Sequence, residues 1–85
     1  MSELITFPSN FPIKVMGTNQ DDFKQLVVSI IEKHAAIMAE GGVKSRLSRG
    51  GRYISLTVHI VAESREQLDA IYRELTAHEQ VLMVL

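Results

Sequence analysis

The chain has no cysteine. That one absence excludes a disulfide framework, a thiolate-bound zinc and a cysteine nucleophile. Long apolar runs are missing too: nothing approaches the ~18 residues that would indicate a membrane span. The opening residues, MSELITFPSNFP, show neither a basic region nor the apolar core of a secretion signal. A soluble cytoplasmic protein is the resulting expectation. The formal net charge is only −1, which argues against a dedicated nucleic-acid or membrane-surface protein. Phosphate-loop patterns (GxGxxG, GxxxxGK[ST]) are absent, and no two of the three histidines, at positions 34, 59 and 78, stand at metal-ligand spacing. No nucleophile, base and orienting group fall into a recognisable set. The residues therefore point to no catalytic site, no metal and no cofactor.

One further absence is local. From Gly41 to Ala62 there is no acidic residue, while Lys44, Arg46, Arg49 and Arg52 all fall in that span. The acids lie in the stretches on either side.

What is present describes one small domain. Eighty-five residues, 46% of them apolar, suffice for a single core, although a chain this short buries only somewhat more than ~60% of its unfolded surface. Phe7-Pro8 and Phe11-Pro12 bias residues 1–12 to an extended lead-in, with the domain proper at 13–85. Ile13 to Met16 reads as a first strand ended by Gly17. Thr18 or Asn19 then offers a cap, with Asp21 and Asp22 at the positive end of a helix dipole. Apolar residues at helical spacing from Phe23 to Met38 predict a helix of four or five turns, ended by Gly41-Gly42.

Val43 to Ser48 predicts a second strand, and Arg49-Gly50-Gly51-Arg52 a hairpin connection. Ile54, Leu56, Val58, Ile60 and Ala62 alternate with Tyr53, Ser55, Thr57, His59 and Val61 in a third strand. Ser64 and Gln67 make a capping box ahead of the stripe Leu68, Ile71, Tyr72, Leu75. Val81 to Leu85 closes with a short strand, apolar on both sides. The order β-α-β-β-α-β predicts an α+β, ferredoxin-like sandwich: a four-stranded antiparallel sheet, two helices on one face, the other face open.

Three functional readings follow. The stretch SRGGRYISLTVHI superficially matches the RNA-recognition motif of this topology, but only Tyr53 supplies an aromatic where several rings are needed to stack bases. RNA binding is the weakest reading. By alternation Lys14, Lys44, Arg46, Tyr53 and His59 share the open sheet face, a mildly cationic surface able to meet an anion or an acidic partner. Finally, a strand ending in Gly17 ahead of a helix start exposes N–H groups where a small carboxylate or phosphate could sit, with Thr18 and Asn19 beside it. On that reading Gly17→Val abolishes ligand effects and leaves the fold intact.

Over nearly its full length the chain also resembles the YbeD-like family of small bacterial proteins. Phe7-Pro8, Phe11, Lys14-Val15-Met16-Gly17, Tyr53-Ile54-Ser55-Leu56-Thr57-Val58 and Met83-Val84-Leu85 carry the resemblance. It implies a fold similar to ACT domains, regulatory modules that bind amino acids through a glycine-containing loop corresponding to Gly17, Thr18 and Asn19. It also implies homo-oligomers and a partner enzyme, with a link to lipoate metabolism; it carries over no catalytic residue. The leading expectation is a non-catalytic regulatory or adaptor module binding a small anionic metabolite at Gly17, Thr18 and Asn19. The alternative is a protein-interaction module that uses the open face.

Overall fold

In the computed structural model, which describes residues 6–85, the elements run β1 (Ser9–Thr18), α1 (Phe23–Glu32), β2 (Val43–Leu47), β3 (Tyr53–Ala62), α2 (Arg65–Thr76) and β4 (Val81–Val84). The strands order β2-β3-β1-β4, each neighbouring pair antiparallel. This is the expected ferredoxin-like βαββαβ sheet. Strand periodicity decides its faces. Ile13 and Val15 of β1 and Leu56, Val58, Ile60 and Ala62 of β3 point to the helix side and are buried. Phe23, Val27, Ile30 and Ile31 of α1, with Leu68, Ile71 and Leu75 of α2, close the same core. Phe7 and Phe11 pack against it from the chain's beginning.

The largest departures from the sequence reading are at the start of the first strand and the end of the first helix. The first strand starts at Ser9, inside the expected lead-in, and pairs with β3 over ten residues from Ser9↔Ala62 to Thr18↔Tyr53. Proline is normally kept out of central strands because it lacks an N–H. Here the opposite neighbour, β4, reaches only as far as Lys14, whose N–H donates to Leu85 O at 3.1 Å. The N–H direction alternates along a strand. Pro12 therefore turns its missing donor to a side where, among the described residues, nothing pairs, and the ladder loses no bond.

The first helix is the second difference. It spans ten residues, not the four or five turns its apolar spacing predicts. The chain leaves the helix because β3 is ten residues long and β2 only five. The remaining edge of β3 is taken by Ala36–Met38: Val61 N–H donates to Ala36 O, Met38 N–H to His59 O, and Ile37 bridges Ile60. Backbone pairing along that edge outweighs another helical turn. Gly42 then lets the chain return into β2, since a Cβ there would stand 2.0 Å from Met38 O.

The second helix begins at the foretold cap, Ser64, with the return bond of Gln67 going to the residue before it. Ser64 Oγ accepts from Gln67 N–H at 3.0 Å, while Gln67 Oε1 accepts from Glu63 N–H at 2.7 Å. Gln67 also donates through Nε2 to His34 O, 2.9 Å away, tying the end of α1 to the start of α2.

Candidate functional site

The described strands carry Lys14, Lys44 and Arg46 and no carboxylate. Register brings these three together on the open face. Lys14 and Lys44 both stand opposite Thr57, one from each side, and Arg46 stands opposite Ser55 in the next row. With neighbouring strands about 4.8 Å apart, the lysine Cα atoms lie roughly 10 Å from each other across β3. No helix covers this face, so the charges meet solvent.

Tyr53 stands apart from that cluster, whereas His59 lies one row beyond Thr57 and shares a cleft with Lys44. Tyr53 and His59 share the face but lie at opposite ends of it, six residues apart on β3, or roughly 20 Å. Tyr53 is exposed beside the hairpin. His59 stands opposite Pro12, its Nδ1 3.4 Å from Asn10 Oδ1. It lines a small cleft of about 250 Å³ with Asn10, Met38, Glu40 and Lys44. A lone ring at Tyr53 gives bases no stacking platform.

The open face turns apolar toward β4. Met16 pairs with Met83, and Leu82 is the extra residue of an irregularity between Met16 and Gly17 that sets Gly17 opposite Val81. Leu82, Met83 and Leu85 are all exposed.

The turn at Gly17, Thr18 and Asn19 is built for a different purpose than its sequence suggests. Gly17 is buried, and a Cβ on it would lie 2.4 Å from the Phe23 ring and 2.5 Å from Gln80 O. It is a glycine because β1, α1 and the approach to β4 meet there. The expectation that Gly17→Val spares the fold is therefore corrected: the valine would collide with core and backbone. Asn19 donates its main-chain N–H to Arg52 O (2.8 Å) and its Nδ2–H to Gly51 O (2.9 Å). It clamps the β2–β3 hairpin. Neither Thr18 nor Asn19 caps α1, which starts four residues beyond Asn19; Asp22 occupies the cap position, and its side chain makes no capping bond.

At the far side of the molecule, Glu74 of α2 receives Lys33 Nζ and His34 Nε2, the latter at 2.8 Å. Hydrogen bonds from Lys33 and then His34 hold its carboxyl below the usual carboxylate range. The sequence holds no local pattern for the contact of His34 with Glu74, 40 positions away. His78 lies just past the helix end at Thr76, its Nδ1 buried without a hydrogen-bond partner. Among the described residues no group of three His, Asp or Glu side chains gathers as a metal set. Among these residues no helix is long and apolar enough to cross a membrane.

Comparison with known proteins agrees with this architecture. A family model described as "Protein of unknown function (DUF493)" matches residues 2–85. A UPF0250 protein of Ralstonia nicotianae is 51% identical over 82 residues, covering 96% of this chain and 84% of the relative. One from Neisseria meningitidis serogroup A is 43% identical over 84 residues, covering 99% and 92%. Among solved structures, protein HP0495 from H. pylori superposes with a TM-score of 0.78 at 14% identity, covering 99% of this chain and 88% of that one. The ACT domain from GTP pyrophosphokinase of Chlorobium tepidum gives 0.70 at 14% identity, covering 91% and 97%. The fold is thus ACT-like, and the chain belongs to the DUF493 family, the YbeD-like UPF0250 proteins of bacteria, whose function is unknown.

Proposed function

We propose that this chain is a non-catalytic regulatory or adaptor module that meets an acidic protein partner through the open face of its sheet. The observation that carries the reading is the segregation of charge: strands and hairpin hold Lys14, Lys44, Arg46, Arg49 and Arg52 with no carboxylate among them. Such a surface steers an anionic partner and rejects a cationic one. The ACT-like neighbours support the regulatory part of the reading, since one of them is a domain of a larger enzyme.

A small anionic metabolite at Gly17, Thr18 and Asn19 is the less favoured use of the same fold. Asn19's main-chain N–H and one Nδ2–H are already engaged with the hairpin, and Asp21 and Asp22 stand before α1, where they repel an anion.

The test is retention of cellular protein on immobilised wild-type chain and on the Lys44→Glu/Arg46→Glu double variant, with and without ribonuclease. A partner held only by the wild type should be released as salt rises from ~0.1 to ~1 M, where the Debye length falls from about 10 to 3 Å. Equal retention by the variant would refute the reading. Retention abolished by ribonuclease would transfer the face to nucleic acid.

A further inference from the structure

The sheet does not end where the helices end. β2 is an edge strand, and among the described residues no strand pairs with its outer side. Ser45 and Leu47 point to the helix side, as Val43 does, yet both are exposed, Leu47 by 55%. The helices stop short of this edge, so β2 overhangs them. Beneath its beginning lies a cleft of about 420 Å³ walled by Val28, Ile37, Met38 and Val43, with Glu32 of α1 at its side. On the opposite face of the same strand stand Lys44 and Arg46.

An edge strand left open attracts another strand, and proteins commonly guard such edges with charge. Self-pairing is penalised here. In a two-fold antiparallel pair centred on Ser45, Lys44 of one copy would oppose Arg46 of the other, and like charges directly opposite are destabilising. The same two side chains would welcome carboxylates in those places.

We propose that β2 accepts, as an added strand, an extended segment of a partner protein that alternates acidic with apolar residues. The proposal rests on the adaptor reading above and gives the partner its chemistry. Main-chain hydrogen bonds along the edge supply a sequence-independent share of affinity, and alternate side chains supply the selection. Residues of the incoming strand on the open side meet Lys44 and Arg46. Those on the helix side meet Leu47 and the cleft at Val43, where Glu32 rejects a carboxylate. Period two is therefore read from both faces: shifting the segment by one residue sends its acids toward Glu32 and its apolar side chains among the cations.

The experiment uses the full chain, labelled for amide NMR, and three synthetic peptides of one composition. One alternates glutamate and valine, one places the glutamates and valines in separate blocks, and one alternates but is N-methylated along its backbone. The alternating peptide should shift the amides of Val43–Leu47 and bind about tenfold or more tighter than the other two; Arg46→Glu in the protein should remove that preference. Equal binding of all three, with shifts centred on Lys14 and Thr57, would overturn strand addition while leaving the acidic-partner reading in place. Absence of any shift with any acidic peptide would overturn both.

Discussion

The two edges of this sheet are opposites. β2, at one end, is VKSRL: two cations on one side, a polar and an apolar residue overhanging the helices on the other. β4, at the other end, is VLMV, without a charge, and leaves Leu82 and Met83 in solvent. Both strands are short and both have an unpaired outer side among the described residues. What separates them is the kind of contact they permit. On the proposal above, the charged edge penalises a second copy and suits an anionic strand. The uncharged edge has no such guard, and an antiparallel pair of β4 strands would set apolar residues against apolar residues. On that reading, composition alone would keep an edge for an acidic partner apart from an edge open to a second copy.

Each edge is also seated by a glycine, and breaking that seat should give the largest effects. A Cβ at Gly17 meets Phe23 and Gln80 O, and one at Gly42 meets Met38 O. Gly17→Val should cost about 3 kcal/mol through overpacking, with Gly42→Ala close behind because its obstruction is backbone. Gly50→Ala is the control: nothing lies within 4 Å of its added methyl, and its φ is not positive. Urea unfolding of the three variants checks this; a Gly17→Val protein as stable as the wild type would remove the packing explanation.

A smaller effect separates the edges by function. Arg46→Glu should weaken capture of an acidic partner by about tenfold or more. Its stability should stay within about 0.5 kcal/mol of wild type, because the side chain is exposed. Leu82→Lys should do the reverse, leaving partner capture unchanged and shifting the protein toward monomer in sedimentation velocity at high concentration. If Arg46→Glu altered self-association and Leu82→Lys did not, the assignment of the edges would be inverted.

The smallest effect lies away from both edges. The carboxyl of Glu74 is held below its usual range by Lys33 and His34, so its folded pKa lies under its unfolded one. Its contribution is fully present above the unfolded carboxylate pKa and is lost as pH falls through the folded value. Glu74→Gln should therefore flatten the acid side of the stability profile, measured by thermal unfolding from neutral pH down to the carboxylate range. It should change neither edge. An unchanged acid limb would mean that the pair contributes nothing measurable, as many exposed ion pairs do.

Legibility in the sequence followed the range of the interactions. The ten-residue alternation of β3 and the Ser64–Gln67 box were readable because period-two burial and an N-cap are properties of neighbouring residues. The placement of Lys14, Lys44 and Arg46 on one face was readable for the same reason, since side-chain alternation fixes it before any partner strand is known. Glu74's hold on Lys33 and His34 was not, because nothing local records a contact 40 positions apart.

By itself, then, the sequence determined the order of elements, the face each strand buries and the charge each edge carries, all of them consequences of backbone period and composition. Tertiary structure alone decided the rest. It cut α1 to ten residues, because the half of β3 beyond β2 takes its backbone partners from Ala36–Met38 and Gly42. It admitted Pro12 into β1, because β4 is too short to ask for its N–H. It also gave Gly17 and Asn19 structural work, the one filling a space too small for a side chain, the other clamping a hairpin 32 residues away. Strand lengths and close approaches arise only once the elements are assembled, and no stretch of sequence holds them alone.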